Sequence, residues 1–165
     1  MGIRYYAYAF DADKTDQALA DPAHFISADP LADAWGLEPG FSDATTNFEQ
    51  AVPEDEMLYL DKSWRVLQRL TKSDGPQTPR PSFRMFEGDV TQGPMGHLPW
   101  FRGISPDEVR AIDRDLQQVV MPPPDPNADE YDTQDHAYIG RHLQRAKTCV
   151  RINAELGRGF AYTIW

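Results

Sequence analysis

Residues Ile3 to Phe10 constrain this chain more than any other stretch. At the two-residue period of a strand, Ile3, Tyr5, Ala7 and Ala9 share one face and Tyr6, Tyr8 and Phe10 the other. Both faces are largely apolar, so the strand belongs inside a sheet and not at an exposed edge. The last residues, Phe160-Ala161-Tyr162-Thr163-Ile164-Trp165, read as a second strand of similar character. With 165 residues and 41% hydrophobic composition, the chain can form one core around such a sheet.

Helices are marked by periodicity and by their starts. From Leu60 to Thr71, Leu60, Trp64, Val66, Leu67, Leu70 and Thr71 fall on one arc, which predicts an amphipathic helix over residues 60–72. Asp61 would then lie near its N-terminus, able to pair with Arg65 one turn on. Ser105-Pro106-Asp107-Glu108 is a capping-box start for a helix whose apolar face is Val109, Ile112, Leu116, Val119 and Val120. A third helix of about 20 residues carries Tyr138, Ile139, Leu143, Ala146, Cys149, Val150 and Leu156 on one face and ends at Gly157 or Gly159. A short acidic helix reaches about Ala20, and Asp21-Pro22 and Asp29-Pro30 punctuate the stretch after it. Residues 36–55 and 75–81 read as irregular, 83–90 as a short strand and 99–104 as another. The expectation is a single α+β domain over residues 1–165. Its small mixed or antiparallel sheet includes both terminal strands, packed by three main helices and shorter ones.

Charge is unevenly placed. Residues 1–56 hold twelve carboxylates against Arg4 and Lys14, which accounts for the whole net charge of −10. Such a balance disfavours direct binding to nucleic acid or anionic membrane. It is explained by a solvated surface that keeps the protein soluble, or by a docking face for a basic protein partner. That face would be Asp11, Asp13, Asp16, Asp21, Glu54, Asp55 and Glu56. No apolar run reaches membrane-spanning length, and the N-terminus lacks the features of a signal peptide. A lone Cys149 cannot form an internal disulfide, so a reduced, cytoplasmic location is expected.

Several segments together resemble the domain-of-unknown-function family 1877, the YfbM-like bacterial proteins. They are Met1-Gly2-Ile3 before an aromatic strand, Leu60-Asp61-Lys62-Ser63-Trp64 with Leu67 and Leu70-Thr71, and Gly88 with Gly93-Pro94 and Ser105-Pro106-Asp107-Glu108-Val109. Two positions depart from the family pattern: Arg65 and Gln68 stand where its members often carry His. The resemblance implies a single-domain α+β fold in a bacterial, cytoplasmic protein. It implies no reaction, cofactor or catalytic residue.

Chemistry-bearing motifs are sparse. His24, His97, His136 and His142 show no metal-ligand spacing, and His142 lies within an apolar helix face, where a hydrogen-bonded core histidine is expected. Cys149 lies mid-helix on the same arc, away from anything that would favour a thiolate. Residues 125–136 mimic a calcium loop but carry Glu130 where Gly is needed and His136 where Glu is needed. Nucleotide, dinucleotide and serine-hydrolase signatures are missing, so no catalytic residue, metal or cofactor is expected. The one candidate pocket is Asp61, Trp64 and Gln68, an aromatic flanked by two polar side chains along one helix edge. A non-catalytic protein- or ligand-binding domain is the leading expectation. An enzyme of unrecognised class with its pocket at those three residues is the alternative, and a subunit whose aromatic strands pair into an oligomer is a third.

Overall fold

The computed structural model describes residues 2–36, 49–72, 78–127 and 130–165. The double-faced strand is β1, Tyr5–Phe10, and it lies between β2, Met57–Asp61, and β6, Gly159–Ile164. The strand expected near residue 100 is β5, Trp100–Ile104, which completes an antiparallel sheet in the order β2-β1-β6-β5. A two-stranded hairpin, β3 Thr91–Gly93 and β4 Gly96–Leu98, precedes it. The helices are α1 Thr15–Ala20, α2 Pro30–Trp35, α3 Trp64–Thr71, α4 Pro106–Leu116 and α5 Glu130–Glu155. This is one α+β domain with both terminal strands in its sheet.

Each face of the sheet has its own cover. On one face Tyr5, Ala7, Leu58, Leu60, Phe160, Tyr162 and Ile164 meet Trp64 and Leu67 of α3, Val109, Ile112 and Leu116 of α4, and Leu143, Ala146 and Val150 of α5. On the other face, at the β1–β2 end, Tyr6, Met57 and Tyr59 pack against Ala34 of α2, with the Tyr6 and Tyr59 rings stacked at 5.3 Å. At the β6–β5 end that face carries Gly103 opposite Ala161, so α1 can lie with its backbone close to the sheet there. A Cβ on Gly103 would stand 2.6 Å from the Ala18 carbonyl oxygen.

The capping box holds as expected: the Ser105 hydroxyl accepts from the Glu108 backbone N–H, and the Glu108 carboxylate accepts from the Ser105 N–H. Gly157 ends α5 at φ 66°, with the Arg158 N–H turned back to the Asn153 carbonyl. Three expectations are corrected and one is refined. The predicted helix over 60–72 is a strand followed by a shorter helix. Tyr5 faces Asp61 and Tyr6 faces Tyr59, which leaves Leu60 as the extra residue of a bulge. Asp29, non-helical as expected before a proline, caps α2 by accepting from the Ala32 N–H, and this bears out the expected break. The strand expected at 83–90 is replaced at its start by a 3-10 turn, Pro81–Met85. Val120 and Leu156, placed on buried faces by periodicity, are 75% and 55% exposed because they lie beyond the ends of α4 and α5. The expected calcium-loop mimic falls partly outside the described residues. Among the described residues no helix is long and apolar enough to cross a membrane.

Candidate functional site

Asp61 is the last residue of β2 and has φ 46°, a left-handed conformation that a non-glycine residue adopts only at some cost in strain. That conformation swings its carboxylate away from α3, which it neither caps nor pairs with. Arg4 Nε donates to Oδ1 at 3.0 Å, and the Tyr138 hydroxyl donates to Oδ2 at 2.7 Å. Burial opposes the charge, but hydrogen bonds from Tyr138 and Tyr59 and the neighbouring Arg4 guanidinium outweigh it, holding the Asp61 carboxyl below its ordinary value. In return, burial and the Asp61 carboxylate push the Tyr138 phenol well up. The expected Asp61–Arg65 pair is replaced by these contacts. Arg65 lies with its guanidinium 5.0 Å from the Trp64 ring and reaches Asp89 at 3.9 Å.

A groove of about 580 Å³ opens beside this carboxylate between the start of α3 and the face of α5. Val66 and Ile139 give it an apolar floor, and Asp61, Lys62, Asp135 and Arg141 give it charged walls. Among the described residues Lys62, Asp135 and Arg141 have no ion-pair partner. Of the expected trio, only Asp61 lines this groove. Trp64 is 1% exposed and its indole N–H donates to the Ile3 carbonyl. The Gln68 amide donates to the Phe86 carbonyl at 2.7 Å and the Gly88 carbonyl at 2.9 Å, bracing the segment after the 3-10 turn. Both are committed to holding α3 in place.

One turn behind Tyr138, the buried His142 ring lies 4.6 Å from it, edge to face. Burial and the nearby Arg145 push its pKa down to about 4, so it is neutral at pH 7. The expected satisfied core histidine is half realised. His142 has a backbone hydrogen bond at Tyr59, but its Nδ1 has no partner among the described residues. Cys149 is buried, and burial pushes its thiol up to about 12, which leaves it protonated and unreactive as a nucleophile.

The expected acidic face divides between two chain segments that meet at one end of the sheet. Asp11 follows β1 and Glu56 precedes β2, and the two strands are antiparallel neighbours. Asp11 and Glu56 therefore line one cleft of about 310 Å³, which Tyr8, Phe25, Val52 and Arg158 also line. Asp13, Asp16, Asp21 and Glu54 are exposed, and Asp55 is half-buried. Two bases neutralise part of the face: Arg158 meets Asp11 at 2.9 Å and Arg145 meets Glu54 at 3.5 Å. Sequence reasoning missed Arg4, Tyr59 and Tyr138 as partners of Asp61. Arg4 and Tyr138 lie 57 and 77 residues away along the chain, with no local pattern to join them. No protein-family model, no characterised protein and no solved structure matches this chain.

Proposed function

We propose that this chain is a non-catalytic protein-binding domain that docks a basic partner at the acidic end of its sheet. One observation carries the reading: Asp11 and Glu56, from acidic segments more than thirty residues apart in sequence, line one cleft together with Tyr8, Phe25 and Val52, and the only base among its described lining residues, Arg158, is already paired with Asp11. Protein interfaces mix aromatic and charged groups, and surface charge steers an oppositely charged partner. Membership of the YfbM-like family and a bacterial, cytoplasmic setting are part of the same proposal. They rest on the Leu60–Thr71 and Ser105–Val109 resemblance and on the single reduced-type cysteine.

The enzyme alternative, with a pocket at Asp61, Trp64 and Gln68, is disfavoured by how those groups are used. Both Asp61 oxygens accept hydrogen bonds and its proton affinity is lowered, the opposite of what a general base needs near neutral pH. The groove at Asp61 is better suited to holding a polar ligand than to proton transfer.

The test compares the wild type with the combined variant Asp13→Asn, Asp16→Asn, Glu54→Gln and Glu56→Gln in affinity purification at about 0.05 M and about 0.5 M salt. A basic protein retained by the wild type at low salt, released at high salt and absent from the variant supports the reading. Equal recovery by both forms, or none by the wild type at low salt, rejects it.

A further inference from the structure

A third cavity, of about 460 Å³, shares no lining residue with the groove or the acidic cleft, and Arg4 in its wall connects it to Asp61 of the groove. Four separate segments build it. Arg4 and Tyr6 come from the N-terminal end of β1, and Asp29 to Leu31 from the start of α2. Met95 and His97 come from the β3–β4 hairpin, and Trp165 follows β6. Its walls are mainly apolar, through Ile3, Tyr6, Leu31, Met95 and Trp165. The volume is in the range of small-molecule sites, and apolar walls with a few convergent polar groups are the usual character of such sites.

Exposure at the mouth is unusual for these residue types. Met95 is 102% exposed and Trp165 is 56% exposed, so a thioether and an indole stand in solvent beside the opening. Charge decides what such a mouth would take. The Arg4 guanidinium is already matched by Asp61 at 3.0 Å and lies 5.3 Å from the Trp35 ring. Asp29 spends one oxygen on the Ala32 N–H and has no ion-pair partner among the described residues. His97 is exposed at the rim. Of the two charged side chains in the walls, Arg4 is offset by Asp61 outside the cavity, which leaves the Asp29 carboxylate as the uncompensated charge, with the exposed Trp165 indole lining the same cavity. Carboxylate and aromatic faces together attract an organic cation and repel an anion of the same size.

We propose that this cavity binds a small organic cation with an apolar or aromatic body, held by Asp29 and by the Trp165 ring. Benzyltrimethylammonium is the probe, with benzyl alcohol and benzoate as its neutral and anionic counterparts. Titration followed by two-dimensional amide and indole NMR should show saturable shifts at Trp165, Leu31, Met95 and His97 for the cation and none for benzoate. Asp29→Asn keeps an oxygen for the Ala32 N–H and should weaken the cation about tenfold, leaving benzyl alcohol within about twofold. Met95→Gln changes a fully exposed side chain and should weaken the cation by about threefold without touching the fold. Benzoate binding as well as the cation, an unchanged cation affinity in Asp29→Asn, or no saturable shift up to about 10 mM overturns the proposal. The acidic cleft is separate from this cavity, so the outcome is independent of the protein-docking reading.

Discussion

At the scale of single residues, Asp61 concentrates more of the structure than any other side chain. It closes β2, takes the left-handed conformation that lets the chain turn into α3, and gathers Arg4 and Tyr138 from 57 and 77 residues away along the chain. A carboxyl whose folded pKa lies below its unfolded value contributes stability above about pH 3.9, and that contribution is lost as pH falls through the lowered value. Asp61→Ala strands a half-buried guanidinium and a phenol while keeping the unfavourable backbone, and should cost about 2–3 kcal/mol in urea unfolding at pH 7. Asp61→Asn tolerates the left-handed conformation and keeps an acceptor for Tyr138, so it should cost about 1 kcal/mol. Equal losses for the two variants would mean that neither the retained acceptor nor the tolerance of the left-handed backbone contributes. A loss below about 0.5 kcal/mol for Asp61→Ala would remove the residue from its central place.

Among the elements, those specified by neighbouring residues were legible in the sequence and those specified across the chain were not. The α4 start was read from Ser105 to Glu108 because the whole capping box lies within four residues. The interior character of β1 was legible because alternation exposes both faces at once. The end of β2, Leu60 and Asp61, falls inside the predicted helix because Leu60 shares the arc of Trp64, Leu67 and Leu70, and the apolar run Met57-Leu58-Tyr59-Leu60 is one that a helix and a doubly covered strand share. The break between them rests on a positive φ at an aspartate, which residue type alone does not signal. The candidate pocket failed for a related reason: the helix edge holding Trp64 and Gln68 faces the core and the chain at Phe86–Gly88. That placement makes Gln68 a brace, and its substitution tests the element. Gln68→Ala leaves two carbonyl acceptors without their donor and should lower stability by about 1–2 kcal/mol. Gln68→Glu places a carboxylate against the same two carbonyls and should be worse than alanine. If Gln68→Glu proves as stable as wild type in urea unfolding, the brace is not formed in solution.

For the whole molecule, two electrostatic effects run in opposite directions and can be separated. Local pairs, such as Arg4 with Asp61 and Arg80 with Asp115, favour the folded state at neutral pH and are lost in acid. Buried His142 acts in the same sense. With its folded pKa near 4 and an unfolded value near 6.5, it costs nothing above pH 6.5, and stability falls as pH drops from there to about 4 because only the unfolded chain takes the proton. The global charge of −10 works the other way, since compacting an acidic surface is least favourable at neutral pH and low salt. At pH 7, raising salt from about 0.01 M to about 0.2 M shortens the screening length from about 30 Å to about 7 Å. That change reaches the spread-out acidic surface more than the half-buried pairs at 3 Å. The melting temperature should therefore rise by about 2–5 °C with salt at pH 7. Near pH 4.7, where the chain carries no net charge, the gain should vanish or reverse, because only the attractive pairs remain to be screened. In His142→Gln the fall in melting temperature between pH 6.5 and 4 should be shallower than in wild type, with the salt response at pH 7 unchanged. A salt response that moves with His142 would mean that the acidic surface and the buried ring are coupled, and one that persists at pH 4.7 would mean that repulsion within the acidic surface is not its source.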